Sequence, residues 1–161
     1  MADTKVLLEY VEKLKEENPA WIADLKDTLG EVTAFIPRES IADVCQVLKT
    51  KYGFDMLADI CGADRGPEED PRFEVNYHLF STKHFNRLRL KVLLSEDEPN
   101  LPTVVDVWKT ANWHERETFD MFGVIFDNHP DLRRILLPSD FDGHALRKDY
   151  PLRGFEPYSL T

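Results

Sequence analysis

Cysteine is scarce in this sequence: Cys45 and Cys61 are the only two among 161 residues. Neither belongs to a CxxC pair or to a run of cysteine and histidine, which is the spacing that zinc and iron–sulfur sites use. The sequence therefore predicts no metal or cluster site, and so few cysteines fit a reducing cytosol. Because Cys45 falls on the apolar face of a predicted helix, we expect it in the core.

A basic surplus is also absent. The formal charge is −10, with 20 Lys and Arg against 30 Asp and Glu. A protein that binds nucleic acid needs cations to neutralise phosphates, and an anionic membrane surface attracts polybasic segments. The composition therefore argues against both partners. No run of 18 apolar residues occurs either, so the sequence predicts no membrane-spanning helix, and any link to a membrane would pass through a partner.

The common catalytic signatures GxGxxG, GxxxxGK[ST], GxSxG and HExxH are missing. Asp140, Asp142 and His144 alternate, and with His129 and Asp131 they could grip a divalent metal, which leaves a metal-dependent hydrolase open. Their spacing matches no tetrahedral or octahedral ligand set, so turns and helix caps are the favoured interpretation. We therefore predict no catalytic, cofactor-binding or metal-ligating residue, and a free adaptor domain is a further alternative.

Periodicity predicts three helices and several strands. Apolar residues at spacings of three and four mark the helices, and alternation marks the strands. Pairing Leu79 with Leu88 and Tyr77 with Leu90 matches every apolar residue of two adjacent strands, so their register is well specified. The fold class is α+β: a mixed, mostly antiparallel sheet with helices on one face, followed by a long extended C-terminal tail. The predicted helices are 3–17, 39–52 and 103–122, and the predicted strands are 31–36, 54–61, 72–80, 86–94 and 124–126.

The stretch WHERETFDMFG, residues 113–123, places a carboxylate where an apolar residue is expected. On a helical wheel Glu115 lies within the apolar stripe of the third helix. A buried carboxylate needs donors, so we expect an Arg or backbone N–H groups from the tail to reach it. The alternative is that the helix bends or ends before Glu115 and leaves it in water.

The opposite face of that helix carries Trp113, Arg116, Glu117 and Asp120. Trp and Arg are favoured at protein interfaces, so this face predicts a contact with a partner or with the tail. The alternative is an Arg116–Asp120 pair on the surface beside a half-buried Trp.

Residues 129–161 carry equal numbers of acidic and basic residues, five of each, whereas residues 1–128 hold the whole charge of −10. The prolines of this segment exclude a long helix, yet it is too rich in apolar residues to be disordered. We therefore divide the chain into an α+β body, 1–128, and an extended irregular tail, 129–161, that docks on a partner subunit. The apolar anchors of the tail are Leu132, Ile135, Leu136, Leu137, Phe141, Leu146, Tyr150, Leu152, Phe155 and Tyr158.

Three motifs resemble a known family. They are ERExxDxxGxxF at 115–126, HPDLRRIL at 129–136 and DGHxLRKDYP at 142–151, and the weaker LxDxxxxD at 57–64 accompanies them. Together they are similar to the 30 kDa subunit of respiratory complex I. Ala145 departs from the pattern, since many members have Pro there. The resemblance implies a structural and assembly motif formed by Trp113, Glu115, Arg116, Glu117, Asp120, Gly123, His129, Arg133, Arg134, Gly143, His144, Arg147, Lys148, Asp149 and Tyr150.

The resemblance implies a non-redox, peripheral-arm subunit of a proton-translocating NADH:quinone oxidoreductase. Its partners would be the large quinone-cavity subunit and iron–sulfur subunits, on the cytoplasmic side of a bacterial inner membrane. NAD, FMN, iron–sulfur clusters and quinone would all reside in those partners, so this chain would perform no chemistry alone. The equivalent subunit of a membrane-bound hydrogenase, or of a quinone reductase with another electron donor, is the alternative.

Overall fold

The computed structural model describes residues 4–154 of the chain. The helices are α1 (Thr4–Glu17), α2 (Ile41–Thr50) and α3 (Ala111–Phe122). The strands are β1 (Asp24–Thr28), β2 (Glu31–Phe35), β3 (Met56–Asp64), β4 (Phe73–Phe80), β5 (Arg87–Leu94), β6 (Asn100–Pro102) and β7 (Ile125–Asp127). No helix among these residues is long and apolar enough to cross a membrane.

Five strands form one sheet in the order β1-β2-β5-β4-β3. β2 and β5 run parallel, and the other neighbours run antiparallel. β6 and β7 form a separate parallel pair. The predicted fold class, a mixed and mostly antiparallel sheet with helices on one face, is confirmed.

The predicted register of β4 and β5 is also confirmed. Leu79 pairs with Leu88 and Tyr77 with Leu90, and all four side chains are buried. The inward-facing residues of the two strands pack in one core with α1 and α2, which contribute residues such as Leu14 and Leu48. Cys45 is fully buried there as expected, and burial raises the pKa of its thiol, so it stays a thiol.

Two strands lie where none was predicted. β1, with the sequence DLKDT, is almost wholly exposed at one edge of the sheet, so it lacks the apolar alternation that marks a half-buried strand. β6 lies in the segment that was interpreted as a loop after β5. β3 begins at Met56, two residues later than predicted, and continues through Asp64 into the expected flexible loop.

The third helix begins at Ala111, so the prediction of a start at Thr103 was wrong. β6 continues the chain in extended form as far as Thr103, whose N–H donates to Asp127 O at 3.0 Å. Turns then occupy the residues before α3. Their valines and tryptophan are buried at spacings that resemble a helix, which explains the error.

Candidate functional site

Glu115 is completely buried within α3. Its carboxylate accepts hydrogen bonds from Thr103 Oγ1 at 2.5 Å and from the N–H of Val104 at 2.8 Å. Both donors precede the helix, so the predicted pairing with the tail was wrong. The alternative of a solvated Glu115 was wrong too. The carboxylate instead ties α3 to the turn that follows β6.

The surroundings of Glu115 disfavour its ionised form. Burial raises its pKa to about 7, although the bonds from Thr103 and Val104 oppose that rise. His129 Nε2 lies 3.9 Å from its Oε2 but donates to Asn112 O, while His129 Nδ1 accepts the N–H of Asp131. Burial lowers the pKa of His129, which favours the neutral ring. Two titratable groups thus lie side by side in the interior.

Asp120 is the acid that holds the tail. It is fully buried, and its Oδ1 accepts from Arg134 Nη1 at 2.8 Å. Its Oδ2 accepts three successive backbone N–H groups, those of Ile135, Leu136 and Leu137, at 2.8–3.0 Å. Burial opposes ionisation, but these N–H groups and Arg134 hold the pKa of Asp120 below its usual range.

Arg116 grips the same segment from the helix. Its Nε and Nη2 donate to the carbonyls of Arg133 and Arg134, each at 3.1 Å. Its guanidinium also lies 5.2 Å from the centre of the Trp113 ring, and Trp113 is exposed. The predicted surface pair between Arg116 and Asp120 is therefore wrong, because each side chain bonds the tail instead. Of the four residues assigned to this face, Trp113 and Glu117 face solvent.

Groups from the tail also complete the C-terminal end of α3. The last four carbonyls of a helix have no partner within it. Here the N–H of Gly123 takes Phe119 O, and His144 Nδ1 lies 2.9 Å from Asp120 O. The N–H of Leu146 reaches Met121 O, and Arg147 Nε reaches Phe122 O at 2.7 Å. All four carbonyls are therefore satisfied, three of them by residues 144–147.

Gly123 is required at this junction. Its φ of +77° is a left-handed conformation that favours glycine. A Cβ at this position would lie 2.5 Å from His144 Nε2 and 2.6 Å from Arg147 Nη2. The residue therefore permits both the helix end and the close approach of the tail.

A second ion-pair cluster attaches the tail to the sheet. Arg72 is buried and forms a bidentate pair with Asp64 at 2.9–3.0 Å. It also bonds Asp149 of the tail at 2.7 Å and Glu96 at 2.6 Å. The N–H of Lys148 donates to Asp64 Oδ2 at 2.7 Å. Burial opposes ionisation of Asp64, but Arg72 and the backbone donors lower its pKa to about 2.

Arg72 was not among the residues predicted from the sequence, and Asp64 entered only through the resemblance at 57–64. The available signal was a lone Arg immediately before the alternating strand FEVNYHLF. Phe73 lies between two cations, since the Arg72 and Arg147 guanidinium carbons are each 5.0 Å from the ring centre. The first residue of β4 is thus surrounded by the groups that attach the tail.

Other motif residues make local contacts. Arg133 pairs with Asp131 at 2.8 Å on the surface, and Tyr150 stacks on Phe141 with ring centres 5.7 Å apart. Gly143 O accepts from Arg134 Nη2 at 2.9 Å. Phe155 and Tyr158, which were counted as tail anchors, lie outside the described residues.

The tail acids do not assemble a metal site with their histidines. His144 Nδ1 points at the Asp120 carbonyl. Within residues 4–154, the one group of metal-ligating side chains that converges is Asp59, Cys61 and His78, all on β3 and β4. The interpretation of the tail as a hydrolase centre is therefore wrong for the part of the chain that the structure describes.

Comparison with known proteins identifies the family. Residues 34–156 match the family described as respiratory-chain NADH dehydrogenase, 30 Kd subunit. The chain belongs to this family. The matched range includes β2 to β7, α2, α3 and both clusters that attach the tail.

Relatives in the family match along nearly the whole chain. The chain is 45% identical over 160 residues to a subunit of the NADH-quinone oxidoreductase of Geobacter metallireducens, covering 98% of this chain and 97% of the relative. It is 44% identical to the subunit of the same name from Acidithiobacillus ferrooxidans, covering 94% of this chain and 78% of the relative.

Solved structures share the fold. A trypsin-resistant fragment (1-134) of Nqo5 is 37% identical with a TM-score of 0.66, covering 78% of this chain and 98% of the fragment. A chain of the membrane-bound sulfane sulfur reductase, an archaeal respiratory membrane complex, is 25% identical with a TM-score of 0.74, covering 89% of this chain and 85% of that one.

Proposed function

We propose that this protein is a non-redox, peripheral-arm subunit of a proton-translocating NADH:quinone oxidoreductase, needed for its assembly and stability. In this proposal it packs beside the large quinone-cavity subunit and the iron–sulfur subunits. Its relatives are named as subunits of NADH-quinone oxidoreductase, which supports the complex. The geometry of the tail supports the role.

One observation carries the assembly role: apolar side chains are held in water by firmly anchored backbone. Leu136 is 61% exposed although its own N–H is bound by buried Asp120. Leu146 is 55% exposed although its N–H bonds the end of α3. Trp113, 61% exposed, stacks on the tail-binding Arg116. Ordered, exposed Trp and Leu side chains are typical of a surface that a partner covers.

In this proposal the cofactors of the complex, NAD, FMN, iron–sulfur clusters and quinone, belong to the partner subunits. The charged motif residues support this division. Arg116, Asp120 and Arg147 spend their hydrogen-bonding groups on the tail and on the end of α3. Residues with such engaged donors and acceptors fix a structure rather than move protons or electrons.

The electron donor is a separate question. The likeness to a chain of a sulfane sulfur reductase complex favours a second candidate, in which this chain serves a complex with a donor other than NADH. The same assembly surface would serve either complex. We further propose that the chain lies at the cytoplasmic side of a bacterial inner membrane and reaches the membrane only through its partners.

The test is affinity purification of the tagged chain from gently solubilised membranes of its native host. The eluate is analysed by mass spectrometry and assayed for NADH:quinone reduction. We expect quinone-cavity and iron–sulfur subunits together with NADH-dependent activity. The same subunits with a different donor-binding subunit, and no NADH activity, would favour the second candidate.

Recovery of the chain alone, or with unrelated partners, would overturn both. A strain expressing the tag without the chain controls for proteins that bind the resin. A mild cross-link before solubilisation distinguishes a complex lost during extraction from one that never formed.

A further inference from the structure

Three side chains with different metal-binding atoms converge on the outer face of the sheet. Asp59 and Cys61 are two residues apart on β3, so both point to the same side. Asp59 pairs directly with His78 on β4. Their ligand atoms, one carboxylate oxygen, Cys61 Sγ and a His78 ring nitrogen, all lie within 4.8 Å of one another.

The spacing fits a tetrahedral ion. Zinc–sulfur and zinc–nitrogen bonds of ordinary length, at a tetrahedral angle, place sulfur and nitrogen about 3.5 Å apart. Cys61 Sγ and His78 Nε2 are 3.9 Å apart, so a small side-chain rotation suffices. Alternation along β3 and the cross-strand pair set these positions, and a β-bulge after Leu57 places Asp59 opposite His78.

A fourth residue can orient the carboxylate. His114 on α3 brings its Nδ1 to 3.3 Å from Asp59 Oδ1. It is not one of the converging three, so it fits the role of a second-layer donor to Asp59. The α3 helix packs against β3 beside the site, because Gly62 leaves no side chain between them: a Cβ there would lie 2.5 Å from the Phe122 ring.

The surrounding charge attracts a cation. Glu117 lies with Asp59 and Cys61 along a cleft of 180 Å³ between β3 and α3, which gives an ion access from solvent. The nearby cation, Arg89, is paired with Glu31 at 2.9 Å. Burial, followed by Arg89, lowers the pKa of His78, so its ring is neutral and available as a ligand. Burial and the nearby acids raise the pKa of the Cys61 thiol.

We propose that Asp59, Cys61 and His78 bind one zinc-class divalent ion, with His114 as a positioning residue and the fourth coordination position open to solvent or to a partner's side chain. Binding forms a metal–sulfur bond and releases the Cys61 thiol proton to solvent, with no change of oxidation state. The sequence could not show this site, since it is created by pairing β3 with β4. It does not depend on the proposed function.

The experiment uses the tag-free full chain, reduced and stripped of metal, with Co²⁺ as a spectroscopic probe and Zn²⁺ as a competitor. We expect one equivalent of Co²⁺ to produce a thiolate-to-metal band in the near ultraviolet, and Zn²⁺ to abolish it. Cys61→Ser should remove the band. Asp59→Asn and His78→Gln should each weaken binding by at least about tenfold.

His114→Gln separates positioning from ligation, because it should weaken binding while keeping the thiolate band. The exposed His84→Gln is the matched control and should leave the affinity unchanged. Circular dichroism checks that each variant is folded. The proposal is overturned if no saturable binding occurs, if no thiolate band appears, or if Cys61→Ser and His84→Gln bind alike.

Discussion

The carboxylate of Asp120 and the guanidinium of Arg134 lie 2.8 Å apart, and the Asp120 side chain is wholly excluded from water. The pair joins the last turn of α3 to a segment that has no regular structure of its own. Because three backbone N–H groups converge on the same carboxylate, Asp120 fixes the path of the tail as well as its attachment.

Replacing Asp120 by Asn should release the tail from α3. The variant leaves Arg134 without its counter-charge and removes an acceptor from the N–H groups of the tail. Losing one partner of such a pair costs about 3 kcal/mol of unfolding free energy. Urea denaturation measures the loss, and limited proteolysis should show new cleavage within residues 129–154. Asp140→Asn, at an exposed residue of the same segment, is the control and should change neither; equal effects of the two variants would contradict the assignment.

Gly123→Ala should be more damaging than the same change at Gly53. Both glycines have left-handed φ values, +77° and +73°. At Gly53 a Cβ would meet its nearest atom, in His84, at an ordinary 3.6 Å, whereas at Gly123 it would overlap His144 and Arg147. We expect about 1 kcal/mol for the backbone strain at either position. Thermal denaturation should show a clearly larger loss for Gly123→Ala, with increased proteolysis of the tail; similar losses would show that the tail yields easily.

Glu115 should make stability fall as pH rises. The folded chain keeps this proton up to about pH 7, whereas the unfolded chain releases it near the ordinary value of 4.5. The stabilising contribution is therefore complete below pH 4.5 and declines between pH 4.5 and 7. The difference corresponds to about 3 kcal/mol. Glu115→Gln should flatten this decline in urea denaturation measured across that range.

Other groups titrate in different directions. Asp64 and Asp120 have lowered pKa values, so their contributions are lost only in more acidic solution. His129 beside Glu115 also has a lowered pKa, so its contribution grows as pH rises. The comparison of the wild type with Glu115→Gln isolates Glu115 from these effects. The exposed Glu117→Gln is the control, and an unchanged slope in Glu115→Gln would refute the prediction.

Leu136→Asn should impair assembly without impairing folding. Its side chain is mostly in water, so the isolated chain loses little burial, whereas a partner surface would lose an apolar contact. Leu29→Asn is the matched control, since Leu29 is fully exposed in the turn between β1 and β2. Affinity purification should recover fewer partner subunits with Leu136→Asn than with Leu29→Asn, at equal melting temperatures. Equal recovery would remove Leu136 from the proposed surface.

The sequence was sufficient where the pattern is local. β4 and β5 alternate strictly, and a shift of one residue would place charged side chains in the core, so their register could be predicted in full. β1 could not be predicted, because an exposed edge strand carries no apolar alternation.

The site shows the same limit. A helical wheel assigns one buried face to α3, but the tail covers a second face and buries Arg116 and Asp120 there. Burial by a distant segment leaves no trace in the periodicity of the helix. The same reason hid the partners of Glu115, the role of Arg72, and the meeting of Cys61 with His78.

The polar character of β1 has a consequence for the chain before it meets any partner. A sheet edge offers unpaired N–H and C=O groups to any other strand, and this makes newly made β-proteins prone to aggregate. β1 is an exposed edge strand that carries Asp24, Lys26 and Asp27, and charges at such an edge disfavour the addition of a foreign strand. The feature that concealed the strand in the sequence thus protects a free chain from sticking to copies of itself.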